Sequence, residues 1–552
     1  MVSAGGGRMA ERVTRGETRY VWLVAAVAAV LVAVPFALAA LWSSPAMQFG
    51  GFLIGLEDGN SYLAKMLQGA QGRWTVHLVY STETHAPGLV FVFYVLLGKI
   101  SRLAGVSPLW VLHIARLAAI PWALYAFYRL AAFFSPRPAV RRLALVLFAF
   151  GGGFGWLWVI LGLPAQLGSM PVDLWVPDAS FFLSALTFPH LAFKQGLLFW
   201  FILTTLRFID RGRWSDALWA ALSGLGCSLI HPYTLPVIGV PLGIYALWHG
   251  RRGWQPLVTS CARLVLVTLL SAPYVGYAWW LFRTNPVFAA WQQQSPVASP
   301  AIHLYVIGFG IPLVLAILGL VLHDDQVRVH PFLWMWFVVL PPLLYLPLPG
   351  QRRFLDGYQA LLALLAARGL YLLFCRARPD SMPVPAPGRC ASRWAVILLV
   401  LSSLSSLFLF AGATFTAAGR AEPVYRPRWE VEALTFLAQD APGAAVLSSY
   451  TTGNLLPAYA PLRAFLGHGA ETIELAAKER TVREFFAAGT SDARRLDLLD
   501  TYGIAVVYFG PREQAIGGFD PGSTSYLTPV YDRDGVQLYR VNRPATAAEI
   551  VK

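Results

Sequence analysis

The chain has 552 residues, of which 57% are hydrophobic and only 13% are charged. Soluble domains carry about 25% charged residues, so this composition excludes a soluble globular protein and indicates a membrane protein. The formal net charge is +14, which in a soluble chain would suggest a nucleic-acid partner. Here the arginines lie mostly between apolar runs, where membrane topology explains them, and no nucleic-acid partner is expected.

Apolar segments of membrane-spanning length recur throughout the first 415 residues. They run over residues 20–42, 86–104, 108–131, 140–163, 181–208, 215–231, 233–249, 256–282, 301–322, 331–348, 355–374 and 393–414. The pattern therefore predicts a multi-pass membrane protein with membrane lipids as its surroundings.

The basic residues between these segments predict which side each loop faces, because short cytoplasmic loops are enriched in Lys and Arg. Twelve crossings would put the basic cluster 129–142 outside. If 86–104 is re-entrant or lies on the surface, eleven crossings remain and the cluster faces the cytoplasm; a missed span would give thirteen. Both alternatives place the residues after 415 outside the cytoplasmic (inner) membrane.

The C-terminal part has a different pattern, with strand-like runs at 444–447 and 504–509 and amphipathic stretches between them. Asp534-Gly535 between two further apolar runs predicts a closing hairpin. The predicted fold class is thus an α-helical polytopic membrane protein with about 11–13 transmembrane helices and a small C-terminal extracytoplasmic α/β domain. We expect a cytoplasmic tail over 1–19, a transmembrane domain over 20–415 with a first outer loop at 43–85, and the α/β domain over 421–552.

The first outer loop carries an acidic pair, Glu57 and Asp58, and further charged or polar side chains follow before the next apolar run: Lys65, Arg73, Glu83 and His85. One interpretation is a solvated loop whose carboxylates cap a helix starting near Asn60. The other is a general base that deprotonates an acceptor hydroxyl with help from nearby cations.

The order of motifs resembles the GT-C superfamily of membrane glycosyltransferases, in the branch that includes protein O-mannosyltransferases and aminoarabinose transferases. Asp58 and Glu57 match an acidic element in the first outer loop that acts on the acceptor in that branch. Glu83-Thr84-His85-Ala86-Pro87 matches a second element, an acidic residue before His/Lys-Pro-Pro, with Ala86 in place of the first proline and Thr84 separating Glu from His.

The resemblance implies transfer of a sugar from a polyprenyl-phosphate donor to a glycan, lipid or protein acceptor. Asp58 would be the base, assisted by Glu57 or Glu83, and Lys65 and His85 would contact substrate. An inverting displacement is expected, since it needs a base for the acceptor and cations for the departing phosphate.

Arg352 and Arg353 are the candidate cations for that phosphate, because Arg can bind it bidentately. In the eleven-span topology they lie outside, against the positive-inside trend. The alternatives are anchoring to anionic headgroups or pairing with Asp356.

Two more candidates follow apolar or aromatic runs. His190 and Lys194 lie one helical turn apart and could act on one ligand; the alternative for His190, and the favoured interpretation for His231, is a hydrogen-bonded histidine filling a polar gap. Gly467-His468-Gly469 could face the active site, although a tight strand-to-helix turn with Glu471 near the helix start is the favoured interpretation.

Motifs for zinc hydrolysis, ATP hydrolysis and serine acyl transfer do not occur in the sequence. No cofactor is certain; the two adjacent carboxylates are compatible with a divalent metal, but the ligand set is sparse. The sequence therefore favours a glycosyltransferase. A transporter or flippase of lipid-linked glycans and a non-catalytic envelope-assembly scaffold are the alternatives.

Overall fold

The computed structural model describes residues 12–295, 297–324, 328–375 and 392–542; the first eleven residues of the predicted N-terminal tail lie outside them. The chain folds as two compact units. The first comprises Met1–Leu38, His113–Ala278 and Val297–Phe415, and the second comprises Ala39–Leu112, Trp279–Pro296 and Thr416–Lys552.

Long apolar helices dominate the described chain. Seven helical stretches are long and apolar enough to cross a membrane: Arg15–Leu41, Pro108–Phe134, Pro138–Ile160, Pro189–Arg211, Trp254–Ser271, Ile302–Val321 and Gln351–Phe374. The pair Arg393–Ser402 and Leu404–Ala418, bent by 41°, would provide an eighth crossing. The chain is a polytopic, mainly helical membrane protein, as predicted.

The strict length criterion gives fewer crossings than the eleven to thirteen predicted, because the other predicted segments are helical but shorter. Trp214–Ile230 and Thr234–Gly250 have 17 residues each, and Pro331–Leu343 has 13. The segment predicted to be re-entrant or surface-lying forms a 13-residue helix, Val92–Ala104. A helix needs about 20 apolar residues to cross a bilayer, so this one is too short.

Prolines divide two predicted segments into two helices each. Phe188 is extended (φ −132°, ψ 134°) between the helices Phe181–Thr187 and Pro189–Arg211, since a following proline disfavours helical dihedrals. The segment 256–282 likewise gives Trp254–Ser271 and, from the next proline, Pro273–Thr284. Two of the spanning stretches consist of shorter helices: Pro138–Ile160 contains Pro138–Phe150 and Gly155–Ile160, and Gln351–Phe374 covers Gln351–Leu355, Tyr358–Leu370 and most of Tyr371–Cys375. Further short helices are Leu163–Leu167, Val172–Trp175, Pro177–Ala179 and Pro286–Gln294.

The second unit contains a two-stranded pair, β1 (Met47–Phe49) with β2 (Tyr425–Pro427), and a larger sheet. The strands of the larger sheet are β3 (Ala445–Leu447), β4 (Arg463–Ala464), β5 (Val506–Phe509), β6 (Leu527–Arg533) and β7 (Val536–Val541), in the order β4-β3-β5-β7-β6. The strand β3 is parallel to β4 and β5, while β7 is antiparallel to β5 and β6. These strands confirm the predicted runs and the hairpin, in which Asp534 (φ 51°) and Gly535 (φ 80°) form the turn.

Both faces of this sheet are covered by helices, so successive strand residues are buried on opposite sides. Val507 belongs to one apolar cluster with Phe485 and Leu498, and Val506 belongs to another with Leu434 and Leu455. The covering helices are Arg428–Asp440, Tyr450–Tyr459, Leu475–Phe486, Asp492–Thr501 and Pro511–Gln514.

The helix that carries the acidic pair, Leu56–Ala70, also belongs to the second unit and is called the acidic helix below. Its Ala64 lies in the second of the two apolar clusters, beside Leu434 and Leu455. It packs closely on the helix Val92–Ala104, because a Cβ atom at Gly98 would lie 1.9 Å from the carbonyl oxygen of Met66. The acidic helix is therefore fixed between a neighbouring helix and the α/β region.

Candidate functional site

The acidic pair lies in the first turn of the acidic helix. The helix begins at Leu56, directly after Gly55 in a left-handed conformation (φ 64°), so the predicted start near Asn60 was four residues too late. Carboxylates in this position are stabilised by the unpaired N–H groups of the first turn. The side chains of Glu57 and Asp58 are 44% and 56% exposed, so both carboxylates are accessible.

Glu57 is held by the C-terminal part of the chain. Its Oε1 accepts hydrogen bonds from the Tyr450 hydroxyl at 2.7 Å and from the Gly469 backbone N–H at 2.5 Å. Burial and the Glu57 carboxylate together raise the pKa of Tyr450 above its ordinary value, which keeps its hydroxyl protonated as a donor. Asn454 donates to the backbone carbonyl of Glu57 at 3.4 Å, so the first helical turn is fixed from two sides.

Asp58 faces His468, whose side chain is only 6% exposed. His468 Nε2 lies 3.4 Å from Asp58 Oδ1, and Nδ1 lies 3.7 Å from Glu57 Oε1. Burial lowers the pKa of His468, but the carboxylates of Glu471 and Asp58 outweigh burial and leave this pKa above its ordinary value. A second proton on Nδ1 would have to displace the backbone N–H groups of Ala470 and Glu471, which donate to that nitrogen at 3.2 Å.

Lys65 forms a buried ion pair with Glu471, with 2.6 Å between Nζ and Oε1. The Ser61 hydroxyl also donates to Glu471 Oε1 at 2.6 Å, and Lys65 Nζ lies 4.1 Å from the Phe91 ring centroid. Burial raises the pKa of Glu471, yet Lys65 and His468 outweigh it and hold this pKa below its ordinary value. The substrate-binding role of Lys65 stays a prediction, and its observed partner is a carboxylate of the same unit.

Glu83 and His85 lie in the loop that follows the acidic helix. Glu83 pairs with Lys478, 2.6 Å away, and Ser81 also donates to its carboxylate. His85 Nε2 accepts the Leu78 N–H at 3.0 Å, and Nδ1 lies 2.8 Å from the Glu83 carbonyl. Both ring nitrogens of His85 thus bond to the backbone, which indicates that this histidine shapes the loop.

In the first unit, Lys194 is fully buried in a charged cluster. Its Nζ lies 3.1 Å from Asp178, 2.9 Å from Asp356 and 2.9 Å from His231 Nδ1. The ring of His190 packs edge-on against His231 at 5.6 Å. The predicted pair His190 and Lys194 is therefore brought together around His231, which fills a polar gap as expected.

Arg352 and Arg353 also lie in the first unit, in the short helix Gln351–Leu355. The Arg352 guanidinium stacks over the Trp175 ring at 4.3 Å, and Arg353 Nη1 donates to the Tyr233 hydroxyl at 2.5 Å. Asp356, the alternative partner considered for the arginines, contacts Lys194 and Thr234. Both guanidinium groups thus lie beside aromatic side chains.

The sequence interpretation gave no role to several residues that contact the predicted site residues: Tyr450, Asn454, Lys478, Asp178 and Tyr233. The glycine-flanked His468 was the single local signal, and its favoured interpretation as a plain turn missed its contact with Asp58. Among the described residues, no group of three His, Cys, Asp or Glu side chains is placed to hold a metal ion. The divalent metal at the acidic pair stays a prediction.

Comparison by sequence gave no relative: no protein-family model matches the chain, and no curated protein sequence matches it. Comparison of structures did give matches. The chain is similar to the arabinofuranosyltransferase AftD from Mycobacteria, with a TM-score of 0.53 and 15% identity over 96% of this chain and 42% of that chain. This chain therefore spans less than half the length of AftD.

Two shorter proteins match more of their own length. ArnT from Cupriavidus metallidurans bound to undecaprenyl phosphate matches with a TM-score of 0.53 and 14% identity, over 95% of this chain and 98% of that chain. The oligosaccharyltransferase AglB from Archaeoglobus fulgidus, in complex with an inhibitory peptide and a dolichol-phosphate, matches with a TM-score of 0.50 and 13% identity. The match covers 96% of this chain and 75% of that chain. The chain therefore has the fold of the GT-C membrane glycosyltransferases.

Proposed function

We propose that the chain is a membrane glycosyltransferase that moves a sugar from a polyprenyl-phosphate donor to an acceptor hydroxyl on a glycan, lipid or protein. The reaction would take place on the outer face of the cytoplasmic membrane. One observation carries the proposal: Asp58 is an exposed carboxylate at the start of a helix that buried contacts hold in place. The structural likeness to ArnT bound to undecaprenyl phosphate supports the choice of donor class.

The proposed chemistry is a single displacement at the anomeric carbon of the sugar. Asp58 takes the proton of the acceptor hydroxyl as the acceptor oxygen bonds to the anomeric carbon. The bond between that carbon and the phosphate oxygen breaks, and polyprenyl phosphate leaves with the electron pair. Glu57 assists by keeping the first turn of the helix in place, and the configuration at the anomeric carbon is inverted.

The departing phosphate gains negative charge and needs cations. Arg352 and Arg353 are the proposed partners, because a guanidinium can bind a phosphate bidentately. Lys194 is less suited, since Asp178 and Asp356 already balance its charge. For Lys194 and His190 we propose a supporting role in the cluster around His231.

One observation favours the rival function of a flippase for lipid-linked glycans. Transporters carry polar and charged residues within their membrane helices, and Lys194 with Asp356 is a buried ion pair between two helices that could cross the membrane. A flippase forms no glycosidic bond, so a transfer assay in detergent, where no compartments exist, separates the two functions.

The test is transfer of radiolabelled sugar from short-chain polyprenyl phosphates bearing arabinofuranose, aminoarabinose or mannose, with membrane and cell-wall extracts as acceptors. Purified protein should give product, and Asp58→Asn should lower turnover about 10²-fold or more. Asp497→Asn is the matched control, since Asp497 is a similarly exposed carboxylate (59%) of the second unit. Parallel reactions with a chelator and with added divalent ions test the metal. No product from any donor, or wild-type turnover in Asp58→Asn, would contradict the proposal.

A further inference from the structure

The turn Gly467–Thr472, called the histidine turn below, takes no part in the chemistry described so far, yet it places a buried imidazole against the acidic pair. His468 is 5% exposed overall, whereas the Asp58 side chain it faces is 56% exposed. Nε2 of His468 is buried, and Asp58 Oδ1 lies 3.4 Å from it. In the described part of the chain Nε2 makes no hydrogen bond of full geometry, and Asp58 Oδ1 is the acceptor placed beside it at ion-pair distance.

The hydrogen bonds at the other ring nitrogen determine which nitrogen carries the proton. The backbone N–H groups of Ala470 and Glu471 both point at Nδ1, at 3.2 Å each. A nitrogen that accepts hydrogen bonds carries no proton of its own, so the hydrogen of the neutral ring lies on Nε2. The backbone thus selects the tautomer whose N–H faces Asp58.

The histidine turn is itself held firmly. The Thr472 hydroxyl accepts the N–H groups of Gly467 at 3.2 Å and His468 at 3.1 Å. The N–H of Gly469 bonds to Glu57, and Glu471 forms the buried pair with Lys65. The ring of His468 also packs against Tyr80 with 5.4 Å between the centroids. A ring fixed on all these sides can orient a carboxylate accurately, as a preorganised site requires.

We propose that His468 is a positioning residue for the base, and that its Nε2–H group orients the Asp58 carboxylate for proton transfer from the acceptor. The inference rests on the proposed function and deepens it. His468 takes no proton in the reaction; it acts only through Asp58. Its loss should therefore lower turnover, while the affinity for the donor stays the same.

Three substitutions separate this role from support of the turn. The amide nitrogen of Gln reaches the position of Nε2, so His468→Gln keeps a donor for Asp58. The amide oxygen of Asn reaches the position of Nδ1, so His468→Asn keeps an acceptor for the turn. His468→Phe keeps only the ring. We expect kcat to fall about 10- to 100-fold in the Phe and Asn variants, the range for loss of a hydrogen bond to a charged group, with KM for the donor unchanged and with kcat largely restored by Gln.

The assay uses the donor that gives most product in the transfer reactions above, together with thermal unfolding in detergent. In a double-mutant cycle, adding His468→Phe to Asp58→Asn should cost no further activity. If Asn and not Gln restores kcat, His468 only supports the turn and the inference is overturned. Wild-type kcat in His468→Phe would overturn it as well. If the Phe variant does not fold, the Gln and Asn variants still decide between the two roles. If Asp58→Asn keeps wild-type turnover, the proposed function itself is contradicted. If Asp58→Asn is inactive but all His468 variants are fully active, only the role of His468 is contradicted and the proposed function stands.

Discussion

Lys65 and Glu471 stand 406 residues apart in the sequence and form an ion pair that is almost completely buried, with 2.6 Å between Nζ and Oε1. The pair joins the acidic helix to the histidine turn. The positions of the acidic pair and of His468 therefore both depend on this contact. Removing a single partner leaves a buried charge without compensation, which is more costly than removing both.

Lys65→Met should accordingly destabilise the protein by about 3–5 kcal/mol, whereas the double variant Lys65→Met/Glu471→Leu should recover most of that loss. Thermal unfolding in detergent measures both. Arg494→Met is the control, because it breaks an exposed pair with Glu484 and exposed pairs contribute little. Equal stability of the single and double variants would show that the buried charge is compensated in another way.

A second prediction concerns the acid stability of the loop after the acidic helix. Burial raises the pKa of Glu83, but Lys478 outweighs burial and holds this pKa below the ordinary value of 4.5. A carboxyl whose folded-state pKa is depressed stabilises the fold above its unfolded pKa, and this contribution is lost as pH falls through the folded pKa. We therefore expect the unfolding temperature to fall as the pH is lowered from about 4.5.

Glu83→Gln should remove part of this pH dependence and lower the unfolding temperature at neutral pH, where the pair with Lys478 is otherwise intact. Glu484→Gln, a change at the exposed pair with Arg494, serves as the control and should leave the profile as it is. Superimposable acid profiles for the wild-type protein and Glu83→Gln would show that this pair does not set the acid stability.

The fold could largely be predicted from the sequence, because apolar length and alternation are local properties. The strands 445–447 and 506–509 and the hairpin at Asp534 were found in this way. The helix lengths were less predictable, since Pro189 and Pro273 break apolar runs that hydropathy alone reads as continuous. The contacts between the site residues were the least predictable part. Glu57 accepts a hydrogen bond from Gly469, which lies 412 residues later in the sequence, and a local periodicity carries no information on such a contact.

A third prediction is topological and tests the sidedness inferred from the basic loops. In a background without native cysteines, Gln71→Cys and Ser523→Cys, both at exposed positions, should react with an impermeant thiol reagent in intact cells. Ser215→Cys lies in the first turn of the helix Trp214–Ile230, directly after Arg211 and Arg213, which the positive-inside trend places on the cytoplasmic side. It should react only after permeabilisation. Labelling of Ser215→Cys alone in intact cells would reverse the topology and move the proposed reaction to the other face.

The last prediction concerns Arg352 and Arg353 as partners of the donor phosphate. Replacement by Lys keeps the positive charge but loses the planar fork that binds phosphate bidentately and stacks on an aromatic ring. Arg352→Lys should therefore weaken binding of undecaprenyl phosphate, the probe, and raise KM for the donor, while Arg352→Ala/Arg353→Ala should nearly abolish transfer.

Arg251→Lys is the matched control, because Arg251 also stacks on a tryptophan, Trp248, at 4.6 Å. If the two arginines only anchor the helix end to anionic headgroups, Lys should serve as well as Arg, since a headgroup needs only a nearby cation. Unchanged probe binding and donor use in the double Ala variant would remove both residues from the site and leave the cation for the phosphate to be sought around Lys194.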